Sequence, residues 1–584
     1  MNIVKIYLVE DTFIQQRDVQ IVGSEEECYK NQIIGKMSRL LKLNNLTLTI
    51  LTLSLWFIGS YPVSGQSKVQ LPEEKVTVQV VNPVSLTEEY LWMSVSVKTN
   101  GGPSPSKVIY MELLDRNGIS VVKDLAELIN GEVSSYLMLP SDLPSDHYLL
   151  RVYTRISPYI SGEEGVFQSL VSIINPKIPP VITPSSTLVK DSTAKPLEAK
   201  FINGKDSLVE VSIPMEKATE ISLVINKTTP FDNLGTALNY SMMYPVDIDS
   251  NTALVPELFG HIIKGKLLDD LIDTTKVFFL TLHGSQSHMF IDTPNEKGEL
   301  YFETGNFTYY DYGIIQTAET DQQVNFILAS PFWDQVPNEN FQLPALNLNQ
   351  NDEEFIKEKI LARASHQYYI GPVAILKKPL PFQYITDYSY TLDDYNRFVD
   401  MATTIREYVP MVLVRNQDRK TIFKNFNIPY NLVFKESPLL VIDGMPVFDS
   451  EAYANFNPKG IESMDIINRY FYINDQQFTG MVNLTSFKND FGGFDLPKNA
   501  LFITYNGIQK PYEYRSSMVD GNNNHFPDFR TTLTWQTDKE TDDNGNLNFS
   551  FKPSRLKGEY LLRIQYRDSL NNDLKTAQYS IDMK

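Results

Sequence analysis

Pro438-Leu439-Leu440-Val441-Ile442-Asp443-Gly444-Met445-Pro446-Val447 is the stretch of this 584-residue chain that says most about its fold. Pro438 stands where a strand can begin without needing its own N–H, and Leu439 to Ile442 is a short apolar run. Asp443-Gly444 is a two-residue turn signal, because glycine accepts the positive φ that other side chains resist. The reading is a strand, a tight turn and a second strand. Asp443 is expected to accept backbone N–H bonds inside that turn and Gly444 to adopt the left-handed conformation, both structural duties. Outward from the hairpin, Ile461-Glu462-Ser463-Met464-Asp465-Ile466-Ile467 and Phe478-Thr479-Gly480-Met481-Val482-Asn483-Leu484-Thr485-Ser486-Phe487 read as two further strands.

Taken together, these three segments resemble the plug domain of TonB-dependent outer-membrane receptors. That family fills the lumen of a transmembrane barrel with a small α/β module, and its pattern is an apolar-Asp-Gly hairpin, an Ile-Glu-Ser-Ile-like strand and a Gly-Val-Ile-like strand ending in Thr. The likeness covers roughly a tenth of the chain. A receptor barrel needs about twenty-two strands of roughly ten residues each, and only about a hundred residues follow Phe487. The resemblance therefore implies a plug-like module without a complete barrel of its own.

Composition sets the outer limits. The chain is 42% hydrophobic and 21% charged, an ordinary globular balance at a length that divides into several domains. It contains 32 Tyr, 32 Phe and 33 Pro against four Trp, which favours β-rich modules joined by extended segments. The net charge of −19 and the absence of Lys/Arg clusters argue against nucleic acid as a partner and accord with solubility. Near the start, Arg39 and Lys42 precede the apolar run Leu46 to Ser60, and Val63-Ser64-Gly65 stands before Gln66. This reads as a signal peptide, with an uncleaved anchor as the alternative. Residues 1–36 are read as a mis-assigned start, with Met37 the initiator. Cys28, the single cysteine, lies in that stretch, so a mature chain would have neither disulfide, cysteine nucleophile nor zinc-thiolate site.

The expected fold class is mainly β: several β-sandwich modules plus one small α/β plug-like domain. Residues 66–178 offer about seven short strands, among them Val76–Val81, Tyr90–Val97, Lys107–Leu114 and Tyr148–Ile156, with a hairpin turn at Asp115-Arg116-Asn117-Gly118. Their order, with Tyr90-Leu91-Trp92 and Tyr148-Leu149-Leu150-Arg151-Val152-Tyr153-Thr154, is similar to a macroglobulin-type domain. Many α-macroglobulins trap proteases through a Cys-Gln thioester, and without a cysteine after Cys28 that chemistry is unavailable here. Residues 179–200 are an expected linker, 201–250 a small β-module, and 251–332 a sandwich resembling the carboxypeptidase-regulatory-like domains that precede plug domains in Bacteroidota. Residues 333–380 are expected as a helical connector, with a helix over Asp352–Tyr368 whose first turn is acidic. The plug-like domain takes 381–500, including a second helix over Asp394–Tyr408. Residues 501–584 form a last β-module in which Asp542-Asp543-Asn544-Gly545 joins Leu533–Gln536 to Leu547–Phe551.

No catalytic, cofactor-binding or metal-ligating residue is assigned from the sequence. His147, His261, His283, His288, His366 and His525 form no ligand pair at helical spacing and are read as surface or satisfied core groups. Asp393 and Asp394 are expected to cap the second helix. Asp542 to Gly545 is read as a turn rather than a calcium loop, and Gly260 to Lys266 lacks the hydroxyl a phosphate loop needs, since Leu267 stands in its place. The combined likeness is to macroglobulin-plus-plug envelope proteins of Bacteroidota. It implies a non-enzymatic, exported protein of the periplasm or outer membrane that docks to an outer-membrane barrel or a secretion or uptake assembly. A carbohydrate-binding or carbohydrate-active surface protein, and a partial receptor using a barrel in trans, are the alternatives.

Overall fold

The computed structural model describes residues 71–180, 208–231, 254–305, 309–338, 342–369, 384–505, 507–514, 527–568 and 574–583, together with positions 195–196, 234, 238, 244 and 373–374. The expected signal segment, Cys28, His525 and most of the expected linker lie outside these residues.

Alternating apolar positions in Lys75–Val80, Tyr90–Thr99 and Glu132–Met138 place one face of an antiparallel sheet inward. It faces a five-stranded sheet ordered Val84–Leu86, Val166–Ile174, Asp146–Tyr153, Val108–Leu114 and Ser120–Glu127. Val78, Met93, Val95, Ile109, Met111, Leu150 and Val171 fill the space between them. Strand Val108–Leu114 is buried along its whole length. Its second face is covered by the segment carrying Phe332, Trp333 and Leu343, which explains a near-continuous apolar run in an antiparallel sheet. Of the helical connector expected over 333–380, the helix expected at Asp352–Tyr368 is present, whereas the stretch before it that carries Trp333 and Leu343 is not helical. Pro331, Pro337 and Pro344 deny it backbone donors, and the helix occupies Glu353–Tyr369.

The strands assigned to separate modules at 201–250 and 501–584 share one sandwich. Val209–Pro214 pairs with Asn546–Phe551, and Ala218–Lys227 lies between Thr532–Lys539 and Gly558–Asp568, with Leu574–Met583 beyond. Val211, Ile213, Leu223 and Ile225 meet Leu533, Phe549, Leu562 and Ile564 in its core. Neither set could bury its apolar face alone. The Asp542–Gly545 turn does join two strands, yet they belong to opposite sheets rather than to a hairpin.

Inside this sandwich the chain carries a second nested element. Ile262–Leu267, Glu299–Glu303 and Phe326–Leu328 form one sheet, and Ser287–Asp292, Phe278–His283 and Tyr312–Thr317 form its partner, which Leu501–Ile503 completes from across the chain. Between Thr317 and Leu501 lies a mixed five-stranded sheet ordered Tyr388–Thr391, Ile461–Ile467, Met481–Ser486, Leu439–Ile442 and Met445–Pro446. Strand alternation sends Leu440, Ile442, Met464, Val482 and Leu484 toward helices Met401–Tyr408 and Ser450–Asn455. It sends Leu439, Val441, Ile467 and Met481 toward Phe279, Met289 and Ile291 of the neighbouring sheet. Helices, mixed sheet and sandwich thus stack in successive layers.

The second helix begins seven residues later than expected. Asp400 caps it by accepting from Thr403 N at 2.7 Å, whereas Asp393 and Asp394 sit in a separate 3-10 turn where Asp393 pairs with Arg397 at 2.6 Å. Helix Ser450–Asn455 was not foreseen; Asp449 caps it by accepting from Glu451 N and Ala452 N. Among the described residues no helix is long and apolar enough to cross a membrane, which says nothing of β-barrels.

Candidate functional site

The hairpin is formed as its sequence requires. Ile442 pairs with Met445, and Asp443 and Gly444 take φ of 46° and 75°, the pair of left-handed residues a tight hairpin turn calls for. The Asp443 carboxylate does something other than close the turn. It accepts from Ser486 N at 2.7 Å, Ser486 Oγ at 2.6 Å and Phe491 N at 2.8 Å. The cause is the parallel pairing of Leu439–Ile442 with Met481–Leu484, which brings the end of that strand beside the turn. Burial pushes the carboxyl above its ordinary value, and the three donors oppose that push. Asp443 therefore pins the hairpin, the Ser486 strand end and the loop at Phe491 to one another.

The tip of the hairpin is covered by the chain itself. A Cβ on Gly444 would meet Ser287 at 3.4 Å, Thr281 Oγ1 donates to Gly444 O at 3.3 Å, and Gln316 Nε2 donates to Pro446 O at 2.9 Å. Ser287 Oγ donates to Asn489 Oδ1 at 2.9 Å and so accepts from His283 Nδ1, 2.7 Å away. This places the imidazole proton on Nδ1 and leaves Nε2 as a buried lone pair with no partner among the described residues. His283 stacks on Tyr312 at 5.1 Å and meets the edge of Phe491 at 4.8 Å, and burial lowers its pKa to about 3. A neutral, sealed imidazole cannot exchange protons with a substrate, so the joint is structural.

The remaining histidines do not converge. In the strand register Leu282 opposes His288 and His283 opposes Ser287, so the two histidines five residues apart face opposite sides of their sheet. His147 bonds Ser172 Oγ at 2.8 Å, and burial lowers it to about 4. His366 accepts from Thr531 N at 3.3 Å, and burial lowers it to about 3. His261 lies between Glu257 at 2.7 Å and Tyr505 OH at 2.5 Å. Among the described residues no group of three or more His, Cys, Asp or Glu side chains is placed to hold a metal ion.

A polar cluster missed by the sequence reading lies on the outer face of the first sandwich. Glu112 and Arg151 are cross-strand partners, 2.7 Å apart, with side chains 2% and 3% exposed. Tyr153 OH donates to the same carboxylate at 2.6 Å, and the guanidinium also donates to Trp333 O at 2.9 Å and Gln335 O at 2.5 Å. Every group is satisfied, as burial of a charge pair demands. The available signal was a Glu and an Arg at the centre of two otherwise apolar runs. Beside this cluster opens a cavity of about 530 Å³, walled by the first sandwich, the nested sandwich and the Phe332–Trp333 segment. A second cavity of about 420 Å³ is walled by Tyr136, Tyr309, Tyr512 and Trp535.

No family model matches the chain, and no curated protein matches it. Among solved structures it aligns with a variant of Salmonella alpha-2-macroglobulin at 8% identity, covering 89% of this chain and 40% of the other, with a TM-score of 0.21. The native conformation of E. coli alpha-2-macroglobulin aligns at 8% identity over 90% and 40% of the two chains, with a TM-score of 0.22. A tetra-tandem repeat from the extending region of a large adhesion protein aligns at 9% identity over 88% and 99%, with a TM-score of 0.13. The chain thus spans 40% of the length of the two macroglobulins. At such TM-scores the whole chains do not superpose.

Proposed function

We propose that this is a non-enzymatic, exported cell-envelope protein that works by contact with another envelope protein, an outer-membrane barrel or a secretion or uptake assembly. In this reading residues 71–178 are a macroglobulin-like spacer, the nested sandwich is carboxypeptidase-regulatory-like, and the mixed sheet is a plug-like module. The observation that carries it is the mixed sheet itself, with the Asp443-Gly444 hairpin pinned at one end and two helices on one face. Of the described strands that follow it, Leu501–Ile503 joins the nested sandwich, Tyr512–Glu513 pairs with Val373–Ala374, and the rest build the host sandwich.

The hairpin tip is occupied by Ser287, so contact with a partner falls to another edge of the module. Ile428, Tyr430, Leu432 and Tyr472 are exposed there, on segments tied together by Ile428 N donating to Asn468 O at 2.9 Å. A photo-crosslinking side chain introduced at Tyr430 of the full chain, expressed in its native cells, tests this. The expected adduct contains an integral outer-membrane barrel or a member of an envelope assembly, and adducts free of envelope proteins would remove the reading. N-terminal sequencing addresses export separately: a mature end at Gln66 supports it, and an intact Met1 counts against it. The aromatic walls of the 420 Å³ cavity favour carbohydrate binding as a second reading.

A further inference from the structure

The 530 Å³ cavity between the first and the nested sandwich is more cationic than the molecule around it. Lys123, Arg151, Arg155 and Lys264 line it against the carboxylates Glu112 and Asp334, in a chain whose net charge is −19. Three of these cations are engaged with carboxylates. Arg151 is held by Glu112 as described, Lys264 meets Glu299 at 2.9 Å, and Arg155 meets Glu257 at 3.0 Å. Arg155 makes that bond and a second, to Ile262 O at 2.7 Å, through Nη1 alone. Its Nε and Nη2 donate to no described residue, and the side chain is 13% exposed.

Lys123 differs from the other three. It has no ion pair among the described residues, and its ammonium lies 5.1 Å from the centre of the Phe332 ring. Lys264 lies likewise 5.1 Å from the Tyr301 ring. Cations held over aromatic faces leave their remaining donors free for an anion, and the rings themselves offer flat apolar surface. The volume falls in the range of small-ligand sites and accommodates a body of one or two sugar or amino-acid residues.

We propose that this cavity binds a small carboxylic acid with a flat apolar face, its carboxylate held by Lys123 and Arg155 and its body set against Phe332 and Tyr301. A carboxylated sugar and an acidic aromatic peptide both carry that chemistry. The inference stands independently of the envelope reading, because it concerns a different part of the molecule and a different class of partner.

The test is calorimetric titration of the whole protein, with Trp fluorescence as a second readout because Trp333 lines the cavity. The probes are digalacturonate, its dimethyl ester, and an acetylated Glu-Tyr amide. At least one free carboxylate should bind, esterification should weaken binding about tenfold or more, and Lys123→Ala should do the same. Lys123 is exposed and the variant is expected to melt with the wild type, so a loss of affinity would not be a loss of fold. Binding of digalacturonate alone assigns the site to sugars, and binding of the peptide alone assigns it to peptides. Failure of both acids to bind at millimolar concentration would overturn the proposal, as would equal affinity for the ester or unchanged affinity in Lys123→Ala.

Discussion

The sandwich of residues 75–174 and the sandwich closed between residues 209 and 583 bury the same kind of alternating apolar face. They differ in where the chain finds its partners. In the first, consecutive strands pair or face one another within about a hundred residues, a local topology. In the second, Leu223 lies opposite Gln536 and Ile564, so the core cannot close until the end of the chain is in place. The same device recurs one level down, where Leu501–Ile503 completes a sheet begun at Phe278. Strand pattern defines which face is buried, whereas pairing decides which stretches make a domain.

Removal of Gly558–Lys584 should have the largest effect, unfolding the second sandwich and sparing the first. It takes Tyr560, Leu562, Ile564, Ile581 and Met583 from the second core and none of the first, which loses the Arg563 bonds to Val80 O and Val81 O. Limited proteolysis with mass spectrometry should then find residues 209–227 cleaved and a protected fragment near 71–178; continued protection of 209–227 would show that the second sandwich does not depend on its distant strands. A smaller effect, confined to the first sandwich, is expected of Glu112→Ala, which strands the buried Arg151 guanidinium and should cost about 3–5 kcal/mol in urea denaturation. Glu220→Ala is its control, since that side chain is 43% exposed and its bridges to Lys98 and Arg567 should be worth less than about 1 kcal/mol.

The third prediction concerns the joint between the nested sandwich and the mixed sheet. His283 titrates at about 3 when folded, below the ordinary value of 6.5, so the unfolded chain binds the extra proton first as the pH falls. Its contribution to stability is complete above pH 6.5 and is lost on acidification toward about 3. Between those limits the wild type should lose about 1.4 kcal/mol per pH unit more than His283→Asn, measured by denaturation of both proteins in parallel. Parallel curves would mean that the imidazole is not sealed from solvent in the folded state.

Much of the local structure was legible. The strands of the first sandwich fall within a few residues of their expected places because alternation and turn residues agree there. Asp443-Gly444 announced its hairpin because few residue pairs accept two successive positive φ angles. What escaped the sequence was relational. The partners of Val209–Pro214 lie more than three hundred residues away, and nothing in a strand's alternation names its neighbour. The turn at Asp542–Gly545 joins its two strands as expected, but the sequence did not say that they enter opposite sheets. Glu112 and Arg151 were passed over because each is a single charge in an apolar run, and only the register makes them a pair. The short helix at Ser450 could have been found from Asp449 followed by Ser and Glu, an N-terminal cap signal.

The nested topology has a mechanical corollary. Asn226 and Thr532 lie directly opposite each other in neighbouring strands, so the intervening chain departs and returns at nearly the same point. Tension applied between residues 209 and 583 is borne by the host sheets, and the inserted layers feel none of it until those sheets part. Stretched in that direction, the molecule would yield first at its outer shell, with the hairpin and its surroundings still folded, and only then pay out the roughly 1,000 Å of chain enclosed between Asn226 and Thr532.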